Sequence, residues 1–252
     1  MNEKSPSITF QNRINNIKEG YEELGNLTIK LTGTVVRLLE NYDETDFENI
    51  EECSTTIDIK TIDLERECIK FMATEQPLAK DLMFIESTLR VISHFKRISH
   101  LCLKIAKLIK NIQCADIPEK ILKELECMGD YTLIILKKSF FVFSNQDLDK
   151  AKELPIDDDR IDEMYDSILN EVTENMIKNN ELIPYFVDVI FLARYFERIA
   201  DKSVSIGSRT IFMLTLRRPS IDDWILNNFI SSEYKSFIHL NFFYISLLKF
   251  QN

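Results

Sequence analysis

The chain has 252 residues, 45% hydrophobic and 29% charged, a composition that can bury a sizeable core in one large domain or in two of about 100 residues. Only 5 Gly and 6 Pro are present, so a few long elements are expected rather than many short strands. A net charge of −10 argues against sequence-independent nucleic-acid binding, which needs clustered Lys and Arg.

The breakers divide the chain into six long helical stretches. The first spans about 8–41, where Ile14, Ile17, Tyr21, Leu24, Ile29, Leu31, Val35 and Leu38 recur mostly at spacings of 3 and 4. The second spans about 46–74 and stops before Gln76-Pro77, since a proline disfavours helix in the residue before it. The third spans about 79–112. After a short linker, Pro118 is placed to open the fourth helix, about 118–144, because its missing N–H is unpaired there in any case. A turn at Asn145-Gln146-Asp147 and a short helical lead-in over 147–153 precede the fifth, about 157–178. The sixth spans about 184–217 and ends before Pro219.

Three long helices, a linker and three more suggest an internal repeat. Ile57-Asp58 matches Ile161-Asp162, and the segment from Phe95 to His100 matches that from Phe196 to Asp201, each pair about 100 residues apart. The expected fold is all-α: two tandem antiparallel three-helix bundles, at 1–112 and 113–218, with an extension at 219–252. That extension is rich in Phe, Ile and Asn without clear periodicity and reads as a packed appendage, or less favourably as a partner or membrane-surface contact. Its apolar run from Phe237 to Phe250 is too short to span a bilayer. The polar start, Met1 to Pro6, predicts no signal peptide. Cys53, Cys68, Cys102, Cys114 and Cys127 lack the spacing of a disulfide framework or zinc site and read as small buried residues in a reducing compartment.

In the sixth helix Phe186, Ile190, Ala193, Glu197, Ala200, Val204, Gly207, Ile211 and Leu214 form a core-facing stripe. Glu197 stands in the middle of it, where a carboxylate must be paired, protonated or bound to a cation. Asp201 lies one turn on, and the fifth helix offers Asp158 and Asp162 at the same i, i+4 spacing. Four carboxylates on two helices suit hard divalent cations, and iron or zinc would also be accommodated. Solvated acidic faces, helix-dipole effects at Asp157 to Asp159, and a salt bridge from Arg194 or Arg198 to Glu197 or Asp201 are the competing readings. In the first repeat the matching positions are Ser54, Asp58, Lys96 and His100. Three of the four carboxylates are gone, which argues against a cation there; a Lys96–Asp58 ion pair is one reading in its place, and His100 reads as a hydrogen-bonded core or interface histidine rather than a lone metal ligand. There is no GxGxxG, P-loop, GxSxG, HExxH or Glu-x-x-His pattern.

The segment Ala193-Arg194-Tyr195-Phe196-Glu197-Arg198-Ile199-Ala200-Asp201 resembles the signature of the PhoU family, in which Ala-Arg-Tyr-Leu-Glu-Arg-Ile-Ala-Asp is typical. The stretch from Asp158 to Tyr165 resembles its companion motif, and Glu75 to Leu82 resembles the family's Gln-Gln-Pro-Val-Ala-x-Asp-Leu-Arg stretch. The resemblance covers about 8–217. It implies tandem, spectrin-like three-helix bundles, a homodimer, and a cytoplasmic role without catalysis. The implied function is negative regulation of phosphate uptake, through the ATP-binding subunit of a phosphate ABC transporter and a sensor kinase, with membrane association only through such partners. It also implies metal, divalent or iron (Mg, Mn, Zn or Fe), at Asp158, Asp162, Glu197 and Asp201. The alternatives are a metal-dependent or metal-storage bundle and a helical interaction protein with changed partners.

Overall fold

The computed structural model describes residues 8–217. Seven α-helices run in order: α1 Ile8–Glu40, α2 Glu44–Glu75, α3 Ala79–Ile112, α4 Glu119–Asn145, α5 Leu148–Ala151, α6 Leu154–Lys178 and α7 Ile183–Thr215, with a 3₁₀ turn at Asn180–Leu182. No strand occurs among the described residues. The expected extension at 219–252 lies outside them.

The helix ends follow local chemistry. Asp43 caps α2, its Oδ1 accepting from the N–H groups of Thr45 at 2.7 Å and Asp46 at 3.3 Å. Gln76 closes α2 in the left-handed region at φ 47°, directly before Pro77. Gln146 does the same for α4 at φ 54°, and Asp147 then caps the one-turn helix α5 by accepting from the Lys150 N–H at 3.1 Å. Helix α6 begins at Leu154, three residues earlier than the sequence suggests, because Pro155 sits within its first turn, where a proline is tolerated.

Helices α1, α2 and α3 pack on one another, as do α4, α6 and α7; the two bundles join along α3 against α7 and α1 against α4. This joint explains why α7 buries more than the stripe read from its sequence, and why α3 buries a matching row. On α3, Thr88, Val91, Phe95, Ile98, Cys102, Ile105 and Ile109 form a buried row. On α7 the row is Val189, Leu192, Phe196, Ile199, Ser203, Ile206 and Thr210. Phe95, Phe143, Phe186 and Phe196 are fully buried, at about 1.5–3 kcal/mol of transfer free energy each.

Aromatic rings knit the bundles together. Tyr21 of α1 lies 5.7 Å from Phe95 of α3, and 5.5 Å and 4.9 Å from Phe140 and Phe143 of α4. Arg209 of α7 donates to Ser87 Oγ of α3 at 3.1 Å and pairs with Glu86. The cysteines divide: Cys68 and Cys102 are buried, Cys53 is half-buried, and Cys114 and Cys127 are exposed, contrary to the expectation that all five are buried. The last two sit near the ends and outer face of helices, where a small residue meets solvent. No described helix is long and apolar enough to cross a membrane.

Candidate functional site

Helix α6 buries Leu154, Ile161, Ile168 and Val172. That face turns Asp158 and Asp162, which flank Ile161, toward α7. On α7 the neighbours Ala193 and Ala200 are small and fully buried, leaving room for the longer Glu197 between them. Glu197 is 3% exposed, while Asp158, Asp162 and Asp201 are half-buried.

The four predicted carboxylates therefore share one electrostatic environment. Burial first, then the charges of Asp201, Asp162 and Glu197, push the Asp158 carboxyl up to about 8. Burial likewise lifts Glu197 to about 7; Arg194 opposes this, while Asp201 and Asp162 add to it. Asp201 is raised by burial, with Lys202 and Arg194 pulling the other way. The Tyr165 hydroxyl, one turn beyond Asp162, is also raised, mainly by burial.

Arg194 donates to both oxygens of Glu197, the intrahelical salt bridge that the sequence left open. The Oδ1 of Asp158 is buried and accepts no hydrogen bond. Among the described residues no group of three or more His, Cys, Asp or Glu forms a ready metal cage. The chemistry of the donor set still suits a hard cation: four carboxylates on two helices, three of them with raised pKa and one with an orphaned buried oxygen. Recruiting Glu197 requires Arg194 to release it.

The first repeat is different. His100 Nε2 lies 2.9 Å from both carboxylate oxygens of Asp58. This bears out the reading of His100 as a hydrogen-bonded histidine, and it replaces the Lys96–Asp58 pair: His100, one turn further along α3, is the partner that Asp58 takes. A second histidine, His94, was not singled out in the sequence. Its Nδ1 is buried without a partner, and burial together with Lys202, Arg97 and Arg90 pushes the imidazole down to about 4.

Also missed was a cleft of about 400 Å³ between α3 and α7, lined by Arg97, His100 and Lys104 on one side and Arg194, Arg198 and Lys202 on the other. Its signal was available: Arg194, Arg198 and Lys202 recur every four residues and so share one face of α7.

Comparison with known proteins agrees with this architecture. The model of the PhoU domain matches twice, over residues 21–109 and 125–210. The phosphate-specific transport system accessory protein PhoU homolog 1 of Methanothermobacter thermautotrophicus is 39% identical over 219 residues, 87% of this chain and 100% of that protein. The Escherichia coli accessory protein PhoU is 22% identical, covering 81% of this chain and 84% of its own length. The crystal structure of PhoU from Pseudomonas aeruginosa superposes with a TM-score of 0.79 at 21% identity, over 82% of this chain and 100% of that one. The phosphate transport system regulatory protein PhoU of Streptococcus pneumoniae gives 0.76 at 22% identity, over 84% and 99%. With two matches to the domain and a relative aligned over its whole length, the chain belongs to the PhoU family.

Proposed function

We propose that this chain is a cytoplasmic regulator of phosphate homeostasis. It restrains uptake by docking, as a homodimer, on the ATP-binding subunit of a phosphate ABC transporter, with a sensor kinase as a second partner. The observation that carries this reading is the 39% identity to a phosphate transport accessory protein over that protein's entire length. No catalytic step is assigned.

The residues supply a physical basis for control. Asp158, Asp162, Glu197 and Asp201 would hold a divalent or iron cation (Mg, Mn, Zn or Fe). When bound, it would neutralise charges that now repel one another and tie α6 to α7. The chain itself holds Glu197 with Arg194 and keeps the acids half-shielded from water. A cation-holding bundle without a transport partner is the second reading, favoured by the orphaned oxygen of Asp158. Changed partners are the third, favoured by the His100–Asp58 pair where carboxylates stand in the second repeat.

Affinity capture of the tagged chain from its own cells tests the docking claim. The transporter ATP-binding subunit is expected among the retained proteins. Its absence, with other proteins retained in stoichiometric amounts, would favour the third reading.

A further inference from the structure

The cleft between α3 and α7 is a local inversion of charge on a chain whose net charge is −10. Five permanent cations face it: Arg97 and Lys104 from α3, and Arg194, Arg198 and Lys202 from α7. Asp201 is the one acid among its lining residues, and Lys202, Arg194 and Arg198 all act on that charge. Arg194 is committed to Glu197, and His100 to Asp58. Among the described residues, Arg97, Arg198 and Lys202 have no carboxylate oxygen within 4 Å, although Lys202 and Arg198 lie in the field of Asp201. The Nζ of Lys104 lies over the Tyr195 ring, 5.6 Å from its centre, a cation–π contact that draws this charge toward α7.

Five cations from two helices of different bundles with a single acid among them are costly to hold together, because like charges repel. The half-buried His94 is pushed down first by burial and then by the charges of Lys202, Arg97 and Arg90, two of which line the cleft. One carboxylate, Asp201, cannot balance five cations, so ion pairing within the cleft leaves a net positive charge. An anion spanning the cleft would relieve the repulsion. Guanidinium groups match phosphate oxygens in a bidentate fork, and the lysines add point charges. The volume of about 400 Å³ falls in the range of small-molecule sites and exceeds the needs of a single orthophosphate.

We infer that the α3–α7 cleft is a binding site for a small oligophosphate anion, gripped by Arg97 and Lys104 from one repeat and by Arg198 and Lys202 from the other. Such a ligand would bridge the two bundles along the joint that holds them together. The inference stands apart from the transporter reading, because the purified chain alone shows it.

Isothermal titration calorimetry of the full chain tests it, in metal-free buffer at constant ionic strength. Sodium tripolyphosphate, orthophosphate and a short polyglutamate peptide serve as probes. Saturable binding of tripolyphosphate at one site per chain is expected, tighter than that of orthophosphate or polyglutamate. Arg97→Gln and Arg198→Gln, both exposed, should each weaken it about tenfold, the loss of one charge-assisted hydrogen bond. Lys123→Gln on the outer face of α4 should leave it unchanged. No saturable binding, equal affinity for the two phosphates, tighter binding of polyglutamate, or equal loss in Lys123→Gln would each overturn the assignment. Urea melts of the two arginine variants verify that they fold, so a loss of binding reads the cleft and not the stability of the chain.

Discussion

Arg194 holds both carboxylate oxygens of Glu197 three residues along the same helix, with the arginine side chain 19% and the glutamate 4% exposed. Removing one partner of a buried pair leaves the other charge without compensation. Arg194→Met is therefore expected to destabilise the fold by about 3 kcal/mol, whereas Glu197→Gln, which still offers a carbonyl oxygen to Arg194, should cost clearly less. Urea unfolding at pH 7.5 of the two variants and their double mutant checks this. The double mutant should be more stable than Arg194→Met alone.

The raised carboxyls give stability a defined pH dependence. Asp158 titrates at about 8 in the folded chain and Glu197 at about 7, both above the usual values near 4. Between those limits the folded chain binds more protons than the unfolded one, so stability falls as pH rises from about 4 to about 8. In chelator, the melting temperature should drop across that window, and Asp158→Asn should drop less. Manganese should raise melting more at pH 8.5 than at pH 5, since only ionised carboxylates hold it. Asp158→Asn should lose most of that gain. A metal response independent of pH would contradict the site.

The bundle joint can be probed through two glycines of α1. A Cβ on Gly25 would lie 2.2 Å from Cε2 of the Phe140 ring, whereas one on Gly33 would meet only Leu133 Cδ2 at 3.6 Å. Gly25→Ala should destabilise by about 1–3 kcal/mol through overpacking. Gly33→Ala should stabilise by about 0.5–1 kcal/mol through helix propensity. Thermal melts of the two variants would show opposite signs if α1 and α4 pack as described.

Much of the fold was legible because few breakers interrupt long 3–4 spacings. Ala79 to Ile112 is one helix with the bounds that the spacing suggested. What escaped was the second buried face of α3 and α7. Phe95 and Phe196 sit in rows of helical period like the stripe read on α7, but periodicity does not tell which partner covers a face. The Lys96–Asp58 expectation failed for a related reason: spacing places Lys96 and His100 on one side of α3, and only the packing angle of α2 decides which reaches Asp58. At the candidate site, i, i+4 spacing paired Asp158 with Asp162 and Glu197 with Asp201, and the packing of α6 on α7 puts the two pairs in one field. The hold of Arg194 on Glu197 depends on a side-chain rotamer that the sequence does not specify.

Phosphate uptake under phosphate-replete conditions tests the central claim most directly, in cells lacking the gene and in cells with it restored. The regulator reading predicts faster uptake on deletion and a return to the normal rate when the intact chain is supplied. Uptake and phosphate-responsive expression that do not change on deletion would contradict it.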